Sequence, residues 1–268
     1  MILNVTLKMI VRSWWRNKVF FLVSVASLAL GLACTNLLMT YFIHEHGLEG
    51  DNPDRDRIFF LQQDDPMTEG KRVAFAAAEI PWQLKNSYAE VEDVLCLGKL
   101  DLLYCKVNEQ KVESGFMMLS ADTTLTRFFD YRTAEGSLEQ VLRQPGKMAL
   151  SATCARKLFG SGQALGEQVE VHMRFGETRT YEVAAVLKER EQSLLHFDML
   201  IAHDPDFFWG GVPLLKLSEG TDAARLADKI NADKVPTLMP DQTKYYLDPL
   251  DAICFTTPDD ASQQVLEF

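Results

Sequence analysis

The sequence contains no HExxH helix, no CxxC pair, no nucleophile elbow, no P-loop and no GxGxxG turn. These are the short patterns that mark metal, acyl-transfer and nucleotide sites. Histidines number only five. His44 and His46 could pinch a metal, but no third ligand stands near them and both flank an apolar run, so they read as a solvated interfacial pair. Gly160-Ser161-Gly162 is too short to cradle a phosphate and reads as a turn. The 38 acids are scattered, and nothing selects a catalytic pair among them. The expectation is a chain with no catalytic residue, cofactor or metal ligand of its own.

Acid is missing altogether from residues 1–44, which carry Lys8, Arg12, Arg16 and Lys18. The rest of the chain holds 23 Lys/Arg against 38 Asp/Glu, a balance of −15. A body this acidic argues against a nucleic-acid partner, because phosphate contacts need a basic face. Charge of either sign is missing from Val19 to Ile43, a run of 25 residues of which 13 are Leu, Ile, Phe or Val. As a helix it would span roughly 37 Å, more than the hydrocarbon core of about 30 Å. Trp14 and Trp15 before it and Tyr41 near its end suit the two interfaces. Basic residues precede the run, and Glu45, Glu49 and Asp51 follow it. The positive-inside rule then puts the N-terminus in the cytoplasm and residue 44 onward outside.

Two rivals fit less well. A cleaved signal peptide has an apolar core of about 7–15 residues, whereas this run continues past Ala33-Cys34. Leu30-Gly31-Leu32-Ala33-Cys34 looks somewhat like a lipidation box, but Gly31 stands where an aliphatic residue is expected, and uncharged residues continue to Ile43. Cys34 reads as an ordinary intramembrane cysteine.

Within the span, Ser27, Gly31 and Thr35 recur every four residues, with Ser24 one turn before them. They form a small-residue seam on which another helix could pack. Asn36 lies beside the stripe, and its amide would favour a polar partner over lipid. Residues 1–18 predict an amphipathic helix at the cytoplasmic surface. Leu3, Leu7, Ile10 and Trp14 follow helical spacing, and Lys8, Arg12 and Arg16, with Lys18 at the end, form a basic anchor toward membrane lipids.

Beyond the span the pattern is mixed α and β. Residues 47–56 are rich in Asp, Gly and Pro and read as a juxtamembrane linker. Strands are predicted at 58–61, 91–97, 102–107, 112–119, 169–173, 180–187 and 213–217. Helices are predicted from Pro81 to Tyr88, from Ser151 as cap to Phe159 with Gly160 closing it, and from Thr221 to Ile230 capped by Thr221 or Asp222. Helices and strands alternate without strict βα order, so the expected fold is α+β, an extracytoplasmic body of two subdomains over 44–268. A hairpin turning at Leu100-Asp101 would set Cys96 opposite Cys105, one possible disulfide; free, buried thiols at Cys96, Cys105, Cys154 and Cys254 are the alternative.

A family resemblance is carried by a succession of short elements. Leu7 to Phe20, with Arg16-Asn17-Lys18 at its heart, resembles the start of FtsX/MacB-type ABC transporter permeases. Asp56-Arg57-Ile58 is similar to the element that opens their extracytoplasmic domain. Phe128-Phe129-Asp130-Tyr131, Glu135-Gly136-Ser137, Ala149-Leu150-Ser151, Ala155-Arg156-Lys157-Leu158-Phe159-Gly160 and Leu165-Gly166-Glu167-Gln168-Val169 follow in the family's order. Tyr181 to Val186, Phe197 to Ile201, and Tyr246-Leu247-Asp248-Pro249-Leu250 with Ile253 complete the series.

The resemblance implies a MacB-like periplasmic core domain in a bacterial inner (plasma) membrane protein, with a porter-like part and a smaller inserted part at roughly 115–205. It also implies a cytoplasmic ABC ATPase as partner and pairing of permeases, usually as a homodimer, with ATP hydrolysis belonging to the partner. Full permeases of this kind carry further transmembrane helices. No second apolar run follows here, which implies an N-terminal part of a longer protein or a split or degenerate permease. A single-pass membrane-anchored binding or sensor domain without an ATPase is the other reading, and an anchored hydrolase a third.

Overall fold

The computed structural model describes residues 18–47, 49–64, 71–113, 115–174, 176–190, 193–204, 210–233, 235 and 244–250. The chain divides into two compact units, 1–47 and 48–268. The expected helix at 1–18, with Lys8, Arg12 and Arg16, lies outside the described residues apart from Lys18.

Helix α1 (Lys18–Gly47) is apolar all round, and its stretch Lys18–Tyr41 is long and apolar enough to cross a membrane. None of that stretch is buried in protein: Val19, Leu22, Leu30 and Leu37 are all exposed. A helix of this kind is stable only where its surroundings are as apolar as its surface.

The second unit begins with turns and a short 3₁₀ turn (Arg55–Arg57), and then runs β1 (Ile58–Asp64), β2 (Arg72–Val73), β3 (Ala76–Ala77) and α2 (Glu79–Ser87). Strand β4 (Val91–Val107), at 17 residues, is the longest among the described residues. It is followed by β5 (Gln110–Val112), β6 (Met117–Ala121), α3 (Leu125–Phe128), β7 (Thr133–Gly136), α4 (Leu138–Arg143), β8 (Lys147–Ser151) and α5 (Ala152–Phe159). The described elements end with β9 (Gln168–Met173), β10 (Thr178–Leu187), β11 (Met199–Ala202), β12 (Gly210–Leu217), α6 (Ala223–Ala232) and β13 (Tyr245–Pro249).

Four strands form an antiparallel sheet in the order β13-β1-β12-β4. With α2 between β1 and β4 and α6 between β12 and β13, this is the split βαβ arrangement of ferredoxin-like folds. Its second and third strands are separated by everything from β5 to β11. Both faces are covered. Leu61, Val94, Leu215 and Leu217 pack with Ile80 and Leu84 of α2 and Leu226 and Ile230 of α6. Ile58, Phe60, Leu95, Leu97 and Leu214 face a second core with α3 and α4. Double coverage explains why these strands read as near-continuous apolar runs.

The intervening segment closes on itself. Gly98–Asp101 of β4 pair with β6, β6 with β11, β11 with β8, β8 with β10, β10 with β9, and β9 returns to Leu102–Lys106 of β4. The result is a six-stranded barrel, filled by Leu100, Cys105, Met118, Met148, Val169, Val171, Val183 and Met199 and covered by Cys154 and Leu158 of α5. Ring closure leaves no free strand edge within the circuit.

The caps follow the sequence signals. Ser151 Oγ accepts from Cys154 N at 3.1 Å, Gly160 ends α5 at φ +63°, and Asp222 Oδ1 accepts from Ala224 N and Arg225 N at 3.1 and 3.2 Å. Two strand expectations are corrected. The predicted hairpin at Leu100-Asp101 does not exist, because 91–107 is one continuous strand that leaves the open sheet and enters the barrel. Cys96 and Cys105 therefore stand nine residues apart along one strand, about 30 Å, too far to bridge; Cys96, Cys105 and Cys154 are free and buried. The predicted strand at 112–119 is two strands, β5 ending at Val112 and β6 starting at Met117. The turn between β4 and β5 is Asn108-Glu109, both at positive φ, as a two-residue hairpin of matching twist requires.

Candidate functional site

On α1, the seam side chains satisfy themselves. Ser24, Ser27 and Thr35 hydroxyls donate to the carbonyls of Phe20, Val23 and Gly31, four residues back, at 2.8–2.9 Å. A Cβ on Gly31 would meet nothing within 4 Å. The three hydroxyls are thus already bonded within the helix itself. Asn36 is exposed beside it.

The linker that follows is not slack. Asn52 Nδ2 donates to the Phe128 carbonyl at 2.7 Å, and Asn52 Oδ1 accepts from Asp54 N at 3.0 Å. Arg57 pairs with Asp54 at 2.6 Å and Glu92 at 2.7 Å, and donates to the Leu217 carbonyl at 3.3 Å. Lys216, 8% exposed on β12, donates to Asp54. Those bonds, first from Lys216 and then from Arg57, hold the Asp54 carboxyl below the ordinary carboxylate range. Arg57, quoted above in the Asp56-Arg57-Ile58 element, therefore fastens the start of β1 to β4 and β12. Nearby, Asp93 is buried on β4 and pairs with Lys85 of α2 at 2.6 Å and Arg127 of α3 at 2.7 Å, tying both helices to the shared strand.

Glu49 is the residue that sequence reading missed, having counted it only as an acid on the outer flank. It is 1% exposed and sits in the left-handed region at φ +55°. Its Oε1 accepts from Leu194 N at 2.9 Å, Arg190 Nη1 at 3.1 Å and Ser193 Oγ at 3.3 Å, while Oε2 lies 2.8 Å from Arg190 Nη2. Tyr131 completes the group. Its hydroxyl donates to the Leu195 carbonyl at 3.1 Å, lies 3.2 Å from Ser193 Oγ, and its ring sits 5.8 Å from the Arg190 guanidinium. Burial pushes the Tyr131 phenol far above its usual value, so it stays neutral at any physiological pH. No spacing or motif separates Glu49 from any other acid after a membrane span.

Two cavities adjoin this group. One, of about 470 Å³, is lined by Tyr131, Thr153, Arg190, Ser193, His196 and Asp198 among others. The second, of about 610 Å³, is lined by Asn52, Asp54, Arg127, Phe128, Tyr131 and Arg132 among others. Lys188, Glu189, Arg190 and Tyr131 line both. Among the described residues no cluster of three His, Cys, Asp or Glu is arranged to hold a metal ion. His172 is taken up by Glu170, Thr178 and a stacked Tyr104 at 4.2 Å. The side chains of His44 and His46 lie outside the described residues.

Comparison with characterised protein sequences finds no significant match. Among solved structures, the chain is similar to a domain of a putative permease protein from Porphyromonas gingivalis, with a TM-score of 0.60 at 15% identity over 74% of this chain and 91% of that one. It is also similar to the periplasmic region of MacB from Actinobacillus actinomycetemcomitans (TM-score 0.51, 9% identity, 78% and 94% covered). The extracellular domain of the noncanonic ABC-type transporter YknZ from Gram-positive bacteria is a third (TM-score 0.52, 15% identity, 71% and 98% covered). These identities speak to fold alone. The family profile goes further: that of the MacB-like periplasmic core domain matches residues 21–233, most of the chain, and the protein belongs to that family.

Proposed function

We propose that this chain is a permease-type subunit, or the N-terminal part of one, that couples a cytoplasmic ABC ATPase to its extracytoplasmic domain. The observation that carries this reading is the brace at 49–57. The residues that leave the membrane helix are bonded to Leu194, Phe128, Glu92 and Lys216, so displacement of the helix end would reach both the open sheet and the barrel. A simple tether would need none of these bonds. The charge asymmetry supports an N-terminus in the cytoplasm and residues from 44 onward in the periplasm. The barrel together with α3 and α4, roughly the 115–205 segment plus the second half of β4, is read as the inserted subdomain. Catalysis is assigned to the partner, and the seam at Ser24, Ser27, Gly31, Thr35 and Asn36 to contact with another helix, in a homodimer or a paired permease.

The test is affinity purification of the full chain from membranes in mild detergent. An ATPase of the ABC type should co-purify, and Gly31→Leu should reduce its recovery. A chain that is stable, ATPase-free and able to bind ligand through its cavities alone would favour instead the anchored binding or sensor domain, the reading that the two cavities support. Recovery unchanged by Gly31→Leu would remove the seam from the proposal.

A further inference from the structure

The Glu49 group has two properties that a merely structural ion pair does not need. Its backbone is held at φ +55°, a conformation that costs a glutamate free energy and persists only where surrounding contacts enforce it. Its partner, Arg190, stands in the wall that the two cavities share. In sequence, Glu49 is two residues beyond the last residue of α1. The carboxylate grips three groups of the opposite segment: the Arg190 guanidinium, the Ser193 hydroxyl and the Leu194 amide. Tyr131 in turn donates to the Leu195 carbonyl, which lies 3.0 Å from Ser193 Oγ as an alternative acceptor for that hydroxyl, and the Tyr131 ring meets Phe197 edge-on at 5.3 Å between centroids. Leu195 and Phe197 line the smaller cavity. A shift of Glu49 therefore has a short bonded route to one wall of each cavity.

We propose that the Glu49–Arg190 pair is a latch through which the segment leaving the membrane helix sets the position of the wall between the two cavities. Engaged, it holds Arg190 against Glu49 and the Leu194 amide closed. Released, it frees a guanidinium into the cavities and relieves the left-handed backbone at residue 49. The latch rests on the coupling function proposed above, but it stands or falls on a different measurement.

The full chain is reconstituted in lipid nanodiscs of two bilayer thicknesses, which changes the tilt demanded of an apolar helix, and amide hydrogen exchange is followed at Leu194. In the unaltered protein, exchange at Leu194 should differ between the two bilayers while the β4–β12 ladder stays protected in both. Glu49→Gln, which retains an acceptor, should speed exchange at Leu194 by about tenfold and abolish the dependence on thickness. Glu49→Gly, which accepts φ +55° without strain and so guards against misfolding, should behave in the same way. Three results overturn the latch: no thickness dependence in the unaltered protein, variants that respond as the unaltered protein does, or faster exchange spread evenly over the domain. If the ATPase co-purifies while any of these holds, the latch fails and the coupling function stands. If Leu194 responds as expected but no ATPase is recovered, the latch stands and its driver is another partner of the helix.

Discussion

The open sheet and the barrel share β4 yet fill their cores differently. On the open sheet, β1 and β12 bury side chains on both faces, inward to α2 and α6 and outward to the α3–α4 core. In the barrel, β9 alternates buried positions with exposed or half-exposed ones, and in β10 Tyr181 is buried between exposed Thr180 and half-exposed Glu182, because one face looks inward and the other toward water. The second half of β10, Val183–Leu187, loses that alternation where it too is covered on the outside. Burial pattern along a strand thus records how many faces are covered rather than which sheet it belongs to.

The comparison breaks most visibly at the core that joins the two parts. Phe60 is fully buried there, and Phe60→Ala should cost about 3–5 kcal/mol. Denaturant unfolding of the detergent-solubilised chain should show the sheet and barrel destabilised together; loss confined to one would mean their cores are independent. Gly136 is the next most sensitive site. It lies at φ +76°, and a Cβ would stand 2.1 Å from the Ala184 carbonyl and 2.8 Å from Leu165. Gly136→Ala should cost about 2–3 kcal/mol, through overpacking and backbone strain, with β7 detaching from β10 in hydrogen exchange.

Lys216→Met removes the largest influence on Asp54 from the open sheet, and should cost about 1–2 kcal/mol near neutral pH. Since the folded-state pKa of Asp54 is depressed, its contribution is complete above the unfolded value of about 3.9 and is lost as pH falls through the lower folded value. The variant should therefore show less acid dependence of its unfolding midpoint than the parent below about pH 4. A parallel acid profile would remove the Lys216 contribution.

Burial should keep the barrel thiol Cys105 and the sheet thiol Cys96 unreactive, since both are pushed up to about 12. In a background lacking Cys34 and Cys254, alkylation at pH 8 should be negligible until the chain is unfolded; rapid labelling of either thiol would show that its core opens. The smallest effect is expected outside both cores. Arg143 and Glu139 pair at 3.0 Å across one turn of α4 with both side chains largely exposed, so Arg143→Ala should change stability by no more than about 0.5 kcal/mol.

Much of this architecture is visible in the residue pattern. The membrane span follows from length and charge. The strands around Phe60, Val171, Val183 and Leu215 follow from apolar runs or alternation, and α5 and α6 from Ser151, Gly160 and Asp222. What escaped has physical causes. Leu138–Arg143 and Leu125–Phe128 are too short for helical periodicity to declare itself. The crossing of β4 into the barrel was hidden because Leu100-Asp101 has the composition of a turn, and only the partners on either side keep it extended. Arg57 was visible as part of a family element but not as a fastening, and Glu49 was not visible at all. A buried acid is identified by what surrounds it, and Arg190, Ser193 and Leu194 are more than 140 residues away in sequence.

The order of the sheet, β13-β1-β12-β4, also bears on how the chain assembles as it is made from its N-terminal end. Phe59 and Leu61 of β1 await Pro249 and Leu247, and Phe60 awaits Leu214. The barrel, by contrast, can close with partners drawn from within residues 98–202. Non-local pairings are slow to form. The nascent chain should therefore pass through a stage in which the barrel is built and β1 still lacks both β12 and β13, an interval in which a chaperone would have one short apolar strand to shield.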